Sequence, residues 1–361
     1  MIAGRYTQGG QLQIVDVPMP RIGDDELLLR VEASAICGSD VKIIRHGHRK
    51  LHAGQTLILG HEFVGTVEES GPRIDGFPVG TRVGVVPNIG CGSCEMCRRD
   101  LGNMCPEYEA FGITFDGAHA EFVRIPADAI RQGNVIPVPE TIPAVDASLI
   151  EPLSCAVNSI RASQVREGDS VLIYGAGPMG LLNAMVAIAA GAGRIVVVDF
   201  NESRLEQAKT LGVTDRVNPK RHAIAPWVAE QTGGRGLDVV VVAVPLGALQ
   251  QEGLGLLAPF GRLCLFAGLP PGETVVGLDT NLIHYRNLVV TGMTGGAACD
   301  YRDALELIRS KKVDVSQIVS HVFSFADMHA AYDTALAGEG MKIVLASAAR
   351  TSEAEERAAE R

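Results

Sequence analysis

Four cysteines fall within fifteen residues in the stretch CGSCEMCRRDLGNMC, at Cys91, Cys94, Cys97 and Cys105. The pattern C-x2-C-x2-C-x7-C lets four thiolates close a tetrahedron around Zn2+ and leaves no position open to a substrate, so a centre of this kind is structural. Three other readings use the same residues. Disulfides are rare in a reducing compartment, a thioredoxin-like pair would need a βαβ setting, and iron–sulfur clusters favour other spacings. Zinc fits best, and Arg98 and Arg99 lie where they offset the charge of four thiolates.

A second set of residues lies in SVLIYGAGPMGLLNAMVAIAAGAGRIVVVDF. Gly175, Gly177 and Gly180 stand between an apolar run and a helical one, with Pro178 and Met179 inside the motif. The first glycine permits a tight turn, the second lets the backbone approach a pyrophosphate, and the third allows close helix–strand packing. The helix start that follows favours an anion. Asp199 closes the next apolar run nineteen residues after Gly180, where a carboxylate accepts both ribose hydroxyls and repels a 2′-phosphate. The pattern therefore predicts a dinucleotide site that prefers NAD to NADP. A loop that merely needs small residues is the plainer alternative.

The third set is dispersed: Cys37 in AICGSD, His61 and Glu62 in GHEFVG, and Glu151 in IEPLSC. Thiolate, imidazole and carboxylate are all zinc ligands, and three protein ligands leave a fourth position for water or an alcohol oxygen. Spacing alone does not join them. Read singly, Cys37 is a small buried apolar residue and His61 a hydrogen-bonded one.

The elements that would carry these residues change character along the chain. Up to about residue 150, short apolar runs cut by Gly and Pro (ELLLRVEAS, FVGTVEESG, TRVGVVPN, HAEFVRIP) predict strands joined by tight turns. Beyond EPLSCAVNS, strand-length runs such as SVLIY, RIVVVD, LDVVVVAV, RLCLFAG and LVVTGM alternate with helix-length segments. That alternation predicts a doubly wound parallel sheet with helices on both faces. YRDALELIRSKK and DMHAAYDTALAG read as helices, VSHVFSF and MKIVLAS as strands. The expected division is residues 1–151, completed by 297–347, and a second domain at 152–296, with 348–361 a charged, frayed tail.

The chain has 361 residues, 47% of them hydrophobic, which is enough for two domains and a sizeable core. Its net charge of −10 opposes contact with phosphate backbones and anionic lipid, so neither nucleic acid nor a membrane is expected as a partner. The N-terminus has no basic start followed by an apolar run, and no later run reads as a membrane span. A cytoplasmic protein is expected, and its eight cysteines then point to metal or thiol chemistry rather than cross-links.

In order along residues 5–346, GHEFVGTVEESG, VGTRVGVVPNIGCGSCEMC and YGAGPMGLL resemble the zinc-dependent medium-chain dehydrogenases. EPLSCAVNS is similar to the branch of sorbitol (polyol) and threonine dehydrogenases, where Glu replaces a third Cys ligand. The resemblance implies a GroES-like first domain, a Rossmann second domain and an active site in the cleft against it. It implies a catalytic zinc on Cys37, His61 and Glu62, with Glu151 a direct or water-mediated partner, and a structural zinc on the clustered cysteines. It further places Arg204 with Asp199 at the adenosine ribose, and Ala267, Gly268, Leu269, Met293 and Thr294 at the nicotinamide side. Lys342 falls where relatives carry a base near the pyrophosphate, a solvated lysine being the other reading. Ser39 stands where relatives relay the alcohol proton. Lys42 departs from the pattern by replacing the usual onward His, and His46, His48 and His52 follow it in a basic loop.

The activity so implied is hydride transfer from a small polyhydroxylated secondary alcohol to NAD. An amino-alcohol oxidiser similar to threonine dehydrogenase is the nearest alternative. A non-catalytic cofactor-binding protein would have lost the zinc ligands, and a nucleic-acid-binding zinc ribbon conflicts with the charge. Relatives also imply a homodimer or homotetramer, paired through the edge strand NLVVTGM.

Overall fold

The computed structural model describes residues 1–351, which form two compact units, Met1–Ser154 with residues 296 onward, and Cys155–Gly295. The change comes slightly later than at residue 151, because the helix Ile150–Ala162 runs unbroken through the point where the sequence rhythm shifts. Among the described residues no helix is long and apolar enough to cross a membrane.

The first unit is mostly β. Its main sheet runs Val135–Pro137, Arg82–Val85, Glu62–Ser70, Leu27–Ala35, Lys342–Ala346 and Val319–Ser324, with Phe122–Ile125 also paired to Leu27–Ala35. Leu27–Ala35 is buried at every position but Arg30, as expected of a strand covered on both faces. Its apolar side chains pack with Phe63, Val67, Val83, Ile125, Phe325 and Leu345 into one core.

Register positions the chemistry. The antiparallel pairing sets Ala35 opposite Glu62 on one side and opposite Val344 on the other. The exit of one strand, which leads to Cys37, thus lies between the starts of the two strands that carry Glu62 and Lys342. Ile36 extends the pairing by donating its N–H to the Ile343 carbonyl at 2.8 Å. The returning segment beyond residue 297 accordingly completes the first unit's sheet.

At the start of the expected tail, Arg350 and Thr351 N–H both donate to the Ser347 carbonyl at 2.9 Å. Arg350 reaches the buried Glu32 at 2.8 Å, and Ser347 N–H bonds the Glu32 carbonyl at 2.9 Å. The rest of the predicted tail, 352–361, lies outside the described residues.

The second unit holds a six-stranded parallel sheet in the order Asp215–Val217, Arg194–Val198, Ser170–Tyr174, Leu237–Val242, Leu257–Leu265 and Val289–Gly292. The first strand in sequence, Ser170–Tyr174, sits inside, with its successors on both sides. The strand order reverses there, and the carboxyl ends at such a switch point open a crevice for a ligand.

Candidate functional site

Cys37 follows the strand Leu27–Ala35 by two residues and caps the helix Gly38–His46. Its backbone N–H donates to Asp40 Oδ2 at 2.8 Å, closing the first helical turn. Ligand atoms of Cys37, His61 and Glu62 all lie within 4.8 Å of one another, so the fold brings together three side chains that spacing could not connect. Glu151, in the first turn of Ile150–Ala162, is buried but stands outside this trio. Ser39 Oγ lies 3.3 Å from His61 Nε2, beside the same cluster.

The electrostatics of the cluster call for a cation. Burial alone would lower the pKa of His61, yet Cys37, Asp40 and more distantly Glu151 hold it well above its ordinary value. Lys342 behaves likewise: burial disfavours its charge, but Glu62, Cys37 and Glu151 raise its pKa. Behind the imidazole, His61 Nδ1 and Asp40 Oδ1 face each other at 3.7 Å, both buried and without a hydrogen-bond partner. A carboxylate in that position orients a metal-ligating histidine through its second nitrogen. The donor set therefore fits a zinc ion held by Cys37, His61 and Glu62.

Asp40 escaped the reading of the sequence although it left a signal, an acidic residue three positions after a helix-capping residue. Lys342 is buried in the first unit. It is 3% exposed, which excludes a solvated lysine, and its ammonium donates to both Glu62 oxygens, with Oε1 at 2.6 Å. In this structure it neutralises the Glu62 carboxylate. Lys42 is exposed. His46 and His52 are exposed as well, and His48 is half-buried. Burial, then Arg49 and Lys50, depress the pKa of His48.

The four clustered cysteines also have ligand atoms within 4.8 Å of one another, and all eight cysteines of the chain are free thiols, which excludes the disulfide reading. The short helix Glu95–Arg98 sets Cys94 against Cys97, with sulfurs 3.5 Å apart. Gly90 is required here, because a Cβ would stand 2.3 Å from the Cys97 sulfur. Hydrogen bonds from the Ser93 backbone and hydroxyl lower the Cys91 thiol to about 6, whereas burial pushes Cys97 up to about 12. Four sulfurs so close cannot all ionise without a cation among them, and the site fits a zinc ion with no open position. Replacing Cys97 with Ser should lower the melting temperature by about 5 °C or more while dinucleotide affinity stays unchanged, as checked by thermal denaturation and cofactor titration.

In the second unit each glycine has a distinct task. Gly175 adopts φ +104° at the turn out of the strand. A Cβ on Gly180 would lie 1.9 Å from the Gly175 carbonyl oxygen, so only glycine lets the helix Pro178–Ala189 approach the strand. A Cβ on Gly177 would meet nothing closer than Arg204 Nη1 at 4.0 Å, which leaves open space at the helix N-terminus for a ligand. Asp199 is fixed by two backbone donors, Ala176 N–H at 2.7 Å and Asn201 N–H at 2.8 Å. The residues fit a dinucleotide: an anion-binding helix start beside an anchored, half-buried carboxylate. Pro178 and Met179 open the helix, and Ala267 continues the sheet by donating to the Val242 carbonyl at 3.0 Å. Gly268 and Thr294 are exposed, and Leu269 and Met293 half-buried, beyond the ends of their strands.

Residues 23–140 match the family described as alcohol dehydrogenase GroES-like domain, and residues 178–310 that described as zinc-binding dehydrogenase. The L-threonine 3-dehydrogenase of Pyrococcus horikoshii is 35% identical over 95% of this chain and 98% of its own length. A zinc-binding dehydrogenase from Sinorhizobium meliloti, solved with NADP, superposes with a TM-score of 0.86 at 28% identity, over 96% of this chain and 98% of that one. The alcohol dehydrogenase rspB of Escherichia coli CFT073, solved with NADH, gives a TM-score of 0.86 at 26% identity, over 96% and 99% of the two chains.

Proposed function

The chain belongs to the zinc-dependent medium-chain dehydrogenase/reductase superfamily, and from that premise we propose that it oxidises a small secondary alcohol to the ketone with NAD. The observation that carries the reading is the convergence of Cys37, His61 and Glu62 on one buried anionic cluster.

When bound, zinc supplies Lewis acidity that lowers the pKa of a substrate hydroxyl, and the nicotinamide accepts the hydride. The chain's own residues do the rest. Asp40 holds the His61 ring by facing Nδ1, so that Nε2 is free to ligate. Ser39 Oγ, 3.3 Å from that nitrogen, is placed to take the hydroxyl proton on its first transfer. Lys342 balances Glu62, which keeps the net charge of the ligand set low. Exposed Lys42 leaves the proton to continue from Ser39 to solvent. Asp199, locked by two N–H groups, cannot swing away from a 2′-phosphate, which supports NAD over NADP.

Two substrate classes follow. The 35% identity to threonine dehydrogenases supports a vicinal amino alcohol of the threonine type. A polyol or cyclitol is the second reading, supported by the resemblance of the EPLSC segment to polyol dehydrogenases. NADH formation should be measured with L-threonine and with a panel of polyols and cyclitols, each repeated with NADP. We expect turnover with one class and at least about tenfold higher kcat/KM with NAD, the scale set by one charge-assisted hydrogen bond. A zinc-loaded protein that turns over none of them would sink the proposal.

We also propose pairing into a homodimer or homotetramer through Val289–Gly292. That strand ends the parallel sheet, with Val289 43% exposed, and an open apolar edge is a template for a second copy. A cytoplasmic setting is proposed with it, since the free cysteines need reducing conditions.

A further inference from the structure

One buried pair near the catalytic cluster has no part in the scheme above. His119 is 0% exposed and Tyr332, on the helix Met328–Ala337, 2% exposed. The two rings meet edge to face with centroids 5.5 Å apart, and the tyrosine hydroxyl bonds His119 Nδ1. The other ring nitrogen, Nε2, lies 3.3 Å from the carbonyl oxygen of Ala35, two residues before Cys37.

The same histidine grips the loop that carries His61. Its backbone N–H donates to the Leu59 carbonyl at 2.9 Å, flanked by Gly117 to Ile58 at 2.7 Å and Ala118 to Gly60 at 3.0 Å. Gly60 turns with φ +97°, and a Cβ there would stand 2.4 Å from the His119 ring. One side chain therefore fills the space beneath Gly60 and tethers Ala35. These are the approaches to Cys37 and to His61, which lie in separate segments of the chain.

The chemistry of the partners fixes the tautomer. A carbonyl oxygen only accepts, so Nε2 must carry the proton. Nδ1 is then the acceptor, and Tyr332 must donate to it. Burial, opposed by Asp40, keeps the pKa of His119 below its ordinary value, in accord with a neutral ring. Without the tyrosine hydroxyl the proton could sit on Nδ1, which would turn an Nε2 lone pair toward the Ala35 oxygen and push the strand end away.

We propose that His119 and Tyr332 are positioning residues for the catalytic metal: the hydroxyl on the returning helix locks the imidazole that spaces the Cys37 and His61 loops. This rests on the zinc reading of Cys37, His61 and Glu62, and zinc content in the wild-type protein tests that reading separately.

The test compares wild type, Tyr332→Phe, His119→Gln and His119→Phe by challenge with a graded chelator, read as zinc atoms retained per chain. The four-cysteine site is the internal control. Wild type should hold two zinc ions per chain; one only, with the four-cysteine site full, would refute the underlying reading. Tyr332→Phe removes one oxygen and no ring, so folding should survive. Its catalytic zinc should leave at roughly 10–100-fold lower chelator activity, with the control site unchanged. His119→Gln, whose amide N–H can still reach Ala35, should lose less than His119→Phe. Wild-type retention in Tyr332→Phe would overturn the proposal. So would an equal loss from both sites, which would show general loosening of the unit.

Discussion

Cys37→Ser is expected to abolish hydride transfer while leaving the dinucleotide bound. Serine is among the best helix-capping residues, so the helix Gly38–His46 should keep its start and the first unit its fold. A hydroxyl replaces the thiolate ligand, and the cluster loses the charge that contributes most to raising the pKa of His61. Lewis-acid activation is worth several kcal/mol, so kcat should fall about 1000-fold or more. NAD affinity should hold within about twofold, since Gly175, Gly177, Gly180 and Asp199 all belong to the other compact unit. Steady-state kinetics and a cofactor-binding titration check both halves. Turnover near the wild-type level would remove the metal mechanism altogether.

Lys342→Met should act chiefly on stability, and differently with and without metal. Lys342 and Glu62 are 3% and 0% exposed, and their ion pair is buried among apolar strands. Removing one partner of such a pair costs about 3–5 kcal/mol, because the remaining charge is left uncompensated in a poorly polarisable setting. Methionine preserves the volume, so packing adds little. The metal-stripped variant should therefore unfold at markedly lower urea than stripped wild type. A bound dication supplies the missing positive charge to Glu62, so the zinc-loaded variant should lose much less. Glu62→Gln combined with Lys342→Met should recover most of the stripped protein's stability and none of its activity. Equal denaturation midpoints for stripped wild type and stripped Lys342→Met would show that the pair contributes nothing.

The parts of this molecule legible in its sequence are those whose function is local. Gly175, Gly177 and Gly180 act on backbone within a few residues of themselves, and the roles their spacing predicts reappear as a positive φ, an open approach and a 1.9 Å steric limit. The four cysteines are similar, because fifteen residues suffice to make a cage. Cys37, His61 and Glu62 had to be joined by resemblance, since their meeting depends on the register of Ala35 against Glu62. Glu151, for which resemblance leaves a direct or a water-mediated role open, is buried and electrically felt by His61 and lies outside the trio. The pairing of Lys342 with Glu62 was out of reach, for the two are 280 residues apart. His119 lacked any marker, because its importance comes from which carbonyl and which hydroxyl it meets.

The strand Lys342–Ala346 lies between Leu27–Ala35 and Val319–Ser324, and it also brings the lysine that Glu62 needs. During synthesis, most of the first unit therefore emerges with the Ala33–Ala35 end of one edge of its middle strand unclaimed and a buried acid still lacking its countercharge. That nascent half waits while the entire cofactor-binding half is translated and folds. Molecular chaperones, or early capture of zinc, would have most to contribute in that interval, when an unclaimed edge invites another chain to pair with it.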